Sequence, residues 1–355
     1  MNINVTGTIA ESVINWYSRH KRDLPWRKTR NPYFIWISEV MLQQTQVETV
    51  IPYYKRFMSR FPTIEALAGA SLQEVLKVWE NMGYYSRARN LHAAAKNISE
   101  RYDGQIPNTM ETLEGLPGIG NYTASAILCF ACGQQIPTID GNVRRVLCRL
   151  YGIKALMDQT GTRKRLLDIA TKLVPEKKPA HFNQGLMDLG ATICTPRKPS
   201  CNLCPLNNHC HALKLGLQDT LPNREKRGPL PHKQMTAGII TDTQKRLLII
   251  QRPNKGLLGG LWKFPGGERK PDETLKEGLK RTVREELGIR IRVREDITSV
   301  NHAYTHFRIT LYAFRCVRQG GEPKAVGCTH WRWVKPRGLR NFPFSKGDRE
   351  IIKAI

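Results

Sequence analysis

Four of the nine cysteines, Cys194, Cys201, Cys204 and Cys210, fall within 17 residues, separated by six, two and five positions. Pro196, Pro199 and Pro205 bend that segment into a loop able to aim four thiolates inward. An odd cysteine count with this clustering reads as a metal site, not a disulfide framework. Four thiolates suit zinc or a cubane iron–sulfur cluster, and the spacing alone leaves both open. Leu116-Pro117-Gly118-Ile119-Gly120 sets two glycines in a tight turn ahead of a small-residue helix from Asn121. Free amides at such a helix start can hold a phosphate. Two carboxylates stand out by position. Asp140, in Ile139-Asp140-Gly141-Asn142-Val143, reads locally as a turn residue that caps the next helix. Glu39 shares a helical stripe with Gln43 and Gln46, opposite an apolar face of Trp36, Ile37, Val40, Met41 and Val47. Periodicity by itself makes Glu39 a solvated residue.

These groups need a scaffold, and the spacing of apolar residues supplies its outline. Asn31-Pro32 is a helix start signal ahead of Glu39, and Leu67, Leu72, Val75, Leu76 and Trp79 continue a helical period. Strong β signals occur only after Met235, at 238–240, 247–250, 309–314 and 331–334, with a helical segment over 274–287 between them. The stretch 221–231 is proline-rich, charged and aperiodic, as an interdomain linker is. The reading is multi-domain: an all-α domain over 1–212, a linker over 213–234, and an α+β domain over 235–355.

The chain has 355 residues, 40% hydrophobic and 24% charged, enough for packed cores and against wholesale disorder. Its greasiest run, Thr123 to Gly133, is too short to span a bilayer, and no membrane association is expected. The first residues lack the basic start and apolar centre of a secretory signal, so a cytoplasmic location is expected. A net charge of +26, with base in excess on both sides of the linker, points to a polyanion contacted by both halves.

The cysteine loop, closing a helical domain, resembles the [4Fe-4S] loop of the endonuclease III superfamily of DNA glycosylases. That resemblance implies one structural [4Fe-4S] cluster on the four cysteines, presenting basic residues such as Arg197 and Lys198 to DNA. The run from Leu116 through Gly118 and Gly120 resembles the helix-hairpin-helix of the same superfamily, which implies phosphate binding there. It also implies that Asp140 is the carboxylate that meets the oxocarbenium-like sugar. Members that cut the DNA backbone place a lysine two residues beyond the last hairpin glycine; here Tyr122 stands there. A phenol forms no Schiff base, so base removal without efficient strand cleavage is implied.

The segment from Trp36 to Val47 resembles the catalytic helix of the MutY adenine DNA glycosylases, whose glutamate is the general acid. Glu39 is then the proton donor to adenine N7, and its pKa must be raised by a dry pocket. The same resemblance implies that Gln44 and Thr45 wedge into the base stack and that Tyr84 intercalates. Arg27 and Gln184 would line the pocket of the extruded adenine, and Asn142 would orient the carboxylates. After the linker, Gly267-x5-Glu273-x7-Arg281-Thr282-Val283-Arg284-Glu285-Glu286 departs from a Nudix box at Thr282, which removes one carboxylate. Nucleotide hydrolysis by this Nudix-like domain is therefore not expected. In the MutY family it reads 8-oxoguanine, a role that falls here on Thr305 and His306, with Tyr304 and Thr305 replacing the family's Phe and Ser. The whole implies a monomeric enzyme excising adenine opposite 8-oxoguanine or guanine in duplex DNA. The rivals are an endonuclease III-like pyrimidine lyase and a Nudix hydrolase with a DNA-binding module.

Overall fold

The computed structural model describes residues 3–225 and 228–355; Met1 and Asn2, and Lys226 and Arg227 of the expected linker, lie outside them. The chain forms two compact units. The first comprises Met1–Tyr54, Thr63–Glu65 and Ala94–Arg227, and the second Lys55–Pro62, Ala66–Ala93 and Gly228–Ile355. Among the described residues no helix is long and apolar enough to cross a membrane.

The first unit is all helical, and its core gathers Val13, Val146, Leu147, Leu166, Phe182 and Leu186. Helix Pro32–Leu42 starts where sequence predicts it, with the Asn31 side chain accepting from the Tyr33 amide and Pro32 in the first turn. It ends earlier than its apolar pattern suggests: Gln44 takes a left-handed φ of 56°, and Val47 opens the next helix. Gly118 holds φ 76°, a conformation glycine adopts without steric cost, and the chain then enters helix Asn121–Phe130. Asp140 caps helix Gly141–Leu150 by accepting from the Val143 amide at 2.7 Å.

Two glycines make helix Pro179–Thr192 the pivot of this unit. A Cβ on Gly185 would lie 2.7 Å from Val13 Cγ1, and one on Gly190 would lie 2.7 Å from Asn142 Cβ. Their bare backbone lets helices Ile3–His20 and Gly141–Leu150 close to contact distance. The chain leaving the cysteine loop is also tied to this unit: Arg149 Nε donates to the Leu221 carbonyl at 2.8 Å, and Asn223 Nδ2 to that of Lys154 at 2.6 Å.

The second unit carries two three-stranded sheets, ordered β1-β5-β4 and β3-β2-β6. Strands β1 (His232–Ile240), β2 (Leu247–Gln251), β5 (Arg308–Gly320) and β6 (His330–Val334) cover the β signals read from sequence. β1 pairs in parallel with β5 from His232↔Arg308 to Ile240↔Cys316. β3 (Trp262–Lys263) is too short to leave a pattern, and β4 (Arg290–Ala303) escapes because its pairing to β5 is interrupted by register shifts. Helix Leu275–Leu287 starts in a capping box at Thr274 and ends at left-handed Gly288. The helical segment 66–93 groups with these sheets because its polar residues bond to them. Gln73 Nε2 donates to the Gly260 carbonyl and Trp262 Nε1 to Gln73 Oε1, both at 2.9 Å, and Arg349 Nε donates to Glu80 Oε1 at 2.6 Å.

Gly190→Ala forces a methyl against Asn142 and is expected to destabilise the protein by about 1–3 kcal/mol, as overpacked cores are. A lowered thermal midpoint would register this, and an unchanged one would show that the two helices part freely.

Candidate active site

Helix Pro32–Leu42 is buried nearly all round, from Ile35 to Met41, so Glu39 does not sit on a solvated face as periodicity suggested. It is 6% exposed. Tyr122, in the second position of helix Asn121–Phe130, donates its hydroxyl to Glu39 Oε2 at 2.8 Å. Burial pushes the Glu39 carboxyl up to about 7; the Tyr122 hydrogen bond and Arg27 act against the rise, and the charge of Asp140 adds to it. Tyr122 is raised well above the usual phenol range by burial and by the neighbouring carboxylates. It remains a protonated donor.

Asp140 shows that capping and a site role are compatible. One carboxylate oxygen accepts from the Val143 amide, and the other accepts from Asn142 Nδ2 at 3.0 Å. Burial raises its pKa too, opposed by these hydrogen bonds and by Arg145. The two acids are thus differently furnished: Glu39 has one phenol, while Asp140 has a helix N-terminus and an amide that favour its charged form. Asn142 is held in turn by Arg145 Nη2, which donates to its Oδ1 at 2.8 Å and to the Gly190 carbonyl at 2.7 Å.

Glu39, Tyr122, Asp140, Asn142, Arg27 and Gln184 border one cavity of about 900 Å³, which Gln44 and Thr45 also line. Gln44 is exposed and backbone-strained. Asp188 anchors this wall from behind, a residue that sequence reasoning missed. Fully buried, it accepts both terminal nitrogens of Arg27, at 2.5 and 2.8 Å, and Arg22 Nε at 2.6 Å. Burial works to raise Asp188, yet the two guanidiniums win and hold it below its ordinary value. Its signal was the i, i+4 spacing from Gln184 on helix Pro179–Thr192.

The four clustered thiols, Cys194, Cys201, Cys204 and Cys210, border one common cavity with Arg149. Arg149 Nη1 lies 3.3 Å from Cys194 Sγ, and Arg145 Nε donates to the Cys194 carbonyl at 2.8 Å. Burial and mutual thiolate repulsion push Cys204 up to about 12, a penalty on the thiolate that a cationic group among the four sulfurs would offset. A cluster accepting all four sulfurs fits this donor set. Of the remaining cysteines of the helical unit, Cys129 and Cys148 are buried in the core, whereas Cys132 is exposed.

The other expected DNA-reading residues lie in the second unit. Tyr84 takes a left-handed φ of 49°, and its hydroxyl is 2.6 Å from Thr305 Oγ1. His306 beside it is exposed. The Nudix-type carboxylates are engaged internally. Glu273 is paired with Arg281 at 2.5 Å and held down to about 2, first by that side chain's hydrogen bonds. Glu286 is paired with buried Lys263 at 2.5 Å and accepts from the Gly266 amide at 2.9 Å. Thr282 is buried, and its hydroxyl donates to the Gly278 carbonyl at 2.9 Å.

Comparison with known proteins agrees with this geometry. Residues 37–197 match the HhH-GPD superfamily of base excision DNA repair proteins, 194–210 the iron-sulfur binding domain of endonuclease III, and 236–354 the NUDIX domain. The chain is similar to the adenine DNA glycosylase of Homo sapiens, 36% identical over 96% of this chain and 73% of that one. With that of Rattus norvegicus it shares 34% identity over 96% and 77% of the two chains. A thermostable thymine-DNA glycosylase structure covers 59% of this chain, with 97% of its own length matched, at 32% identity and a TM-score of 0.55. The likeness spans both units and the cysteine loop, so the chain belongs to the adenine DNA glycosylases, [4Fe-4S] base-excision enzymes that hydrolyse the N-glycosidic bond of adenine.

Proposed function

We propose that the substrate is adenine mispaired with 8-oxoguanine or guanine in duplex DNA, removed by a monomer without efficient strand cleavage. The observation that carries this is the buried Glu39 carboxyl, raised to about 7 and held by Tyr122 in the cavity it shares with Asp140. With Oε2 accepting from the phenol, Oε1 is free to carry the proton to adenine N7 and make the base a neutral leaving group. Asp140, whose bonds to Asn142 and to its own helix favour the charged form, is assigned to face the oxocarbenium-like sugar. Extruding the adenine costs a few kcal/mol, least at a mispair, which favours mispaired substrates. Arg27 and Gln184 supply the wall against which the extruded base is read. Gln44, Thr45 and Tyr84 are assigned to the distorted stack, and Leu116, Gly118 and Gly120 to a phosphate. Thr305 and His306 are assigned to the base opposite. The four cysteines hold the cluster, which anchors the basic loop.

Duplexes differing only in the base opposite adenine test the reading. Cleavage that appears only after alkali, strongest opposite 8-oxoguanine and weaker opposite guanine, is expected. Borohydride trapping of a protein–DNA adduct at the efficiency of a lysine enzyme would refute the Tyr122 argument.

Because the protonated form of Glu39 is the reactive one, the single-turnover rate should hold below pH 7 and fall about tenfold per unit well above it. Glu39→Gln should lose roughly 10²- to 10⁴-fold in rate, the span typical of a positioned proton donor, while binding mispaired DNA normally. A wild-type rate that stays flat above pH 7 would take the acid role from Glu39.

Thr305→Val removes the hydroxyl that meets Tyr84 and should narrow the 8-oxoguanine-to-guanine rate ratio by roughly fivefold, about one neutral hydrogen bond. An unaltered ratio would assign lesion reading elsewhere.

A further inference from the structure

Behind the wall that Arg27 and Gln184 present to the active-site cavity stands a residue that does not line it. Tyr17, on helix Ile3–His20, is 3% exposed. Its hydroxyl donates to Gln184 Oε1 at 2.5 Å, and its ring lies 5.6 Å from the Arg27 guanidinium carbon. Tyr17, Arg27 and Gln184 together border a second, smaller cavity of about 350 Å³. Arg27 and Gln184 therefore each contribute to two cavities, with Tyr17 in contact with both from the far one.

The contact is built by the fold. A Cβ on Gly185 would come within 3.2 Å of Tyr17 Cβ, so the glycine next to Gln184 is what lets the tyrosine backbone approach. A glutamine amide rotates broadly about its last torsion and can present either end. The hydrogen bond to Tyr17 holds the amide in one rotamer, and with Oε1 accepting from the hydroxyl, Nε2 remains as the amide's donor. The aromatic face adds a cation–π contact to a guanidinium whose terminal nitrogens Asp188 already holds.

We infer that Tyr17 is a positioning residue for base recognition, setting the amide of Gln184 and backing the guanidinium of Arg27 without touching the base. This rests on Gln184 being a base-contacting residue, so the experiment separates the two claims. The single-turnover rate constant divided by the half-saturating enzyme concentration, on duplexes with adenine opposite 8-oxoguanine, is measured for wild type, Tyr17→Phe, Gln184→Ala and the double variant. Phenylalanine keeps the ring's volume and its contact with Arg27, and removes only the hydroxyl. Tyr17→Phe should lose roughly fivefold, about one hydrogen bond, and Gln184→Ala at least as much. The double variant should be no worse than Gln184→Ala alone, because the hydroxyl then has nothing to position. A merely structural tyrosine would add its loss in both backgrounds, and that additivity overturns the inference. So does a Tyr17→Phe enzyme of wild-type efficiency beside an impaired Gln184→Ala. If Gln184→Ala is itself unimpaired, the reading of Gln184 falls, and this inference with it.

Discussion

Removing one carboxyl from water is the constraint around which the helical unit is organised. Glu39 is useful as an acid only where its charged form is penalised, and the surroundings of helix Pro32–Leu42 impose that penalty from all sides. A buried charge with several strong partners would be stabilised as an anion. The structure therefore gives Glu39 a single hydroxyl and concentrates the anion-favouring contacts on Asp140. Burial raises both carboxyls, and it is their hydrogen-bond partners that differ.

The same economy appears behind the site. Asp188 is held below its ordinary value where Glu39 is raised above its own, because Arg22 and Arg27 both reach Asp188. Asn142 is fixed from the other direction by Arg145, which also holds the backbone at Cys194, where the cysteine loop begins. The loop and the carboxylate site thus share one helix, Gly141–Leu150, as their common support. Left-handed backbone occurs at Gln44 and Tyr84, two of the positions proposed for the distorted base stack.

The Nudix-like unit keeps its fold while its carboxylates are turned to structure. Glu273 is neutralised by Arg281 and Glu286 by Lys263, ammonium and guanidinium groups standing where metal-binding chemistry would need free oxygens. Thr282 closes a hydrogen bond to its own helix. A domain so arranged has its carboxylates committed to internal pairs, and the role proposed for it is that of a reading surface.

What the sequence determined by itself was local. The cysteine spacing, the glycine turn, the Nudix-like box and the segment around Glu39 are short-range patterns in which neighbouring residues make the feature, so the two fold classes and most of the candidate site were legible there. The strands after Met235 and the helix over 274–287 were legible for the same reason. Only the tertiary structure decided the burial of Glu39, the tie of Tyr122 to it, the Asp188 anchor, and the grouping of 66–93 with the C-terminal sheets. Each of these depends on partners far apart in the chain, and periodicity reports which residues share a face, not what is packed against it. A stripe of Glu39, Gln43 and Gln46 looks the same whether water or another helix covers it; desolvation, which sets the acid's pKa, exists only once the helices have closed.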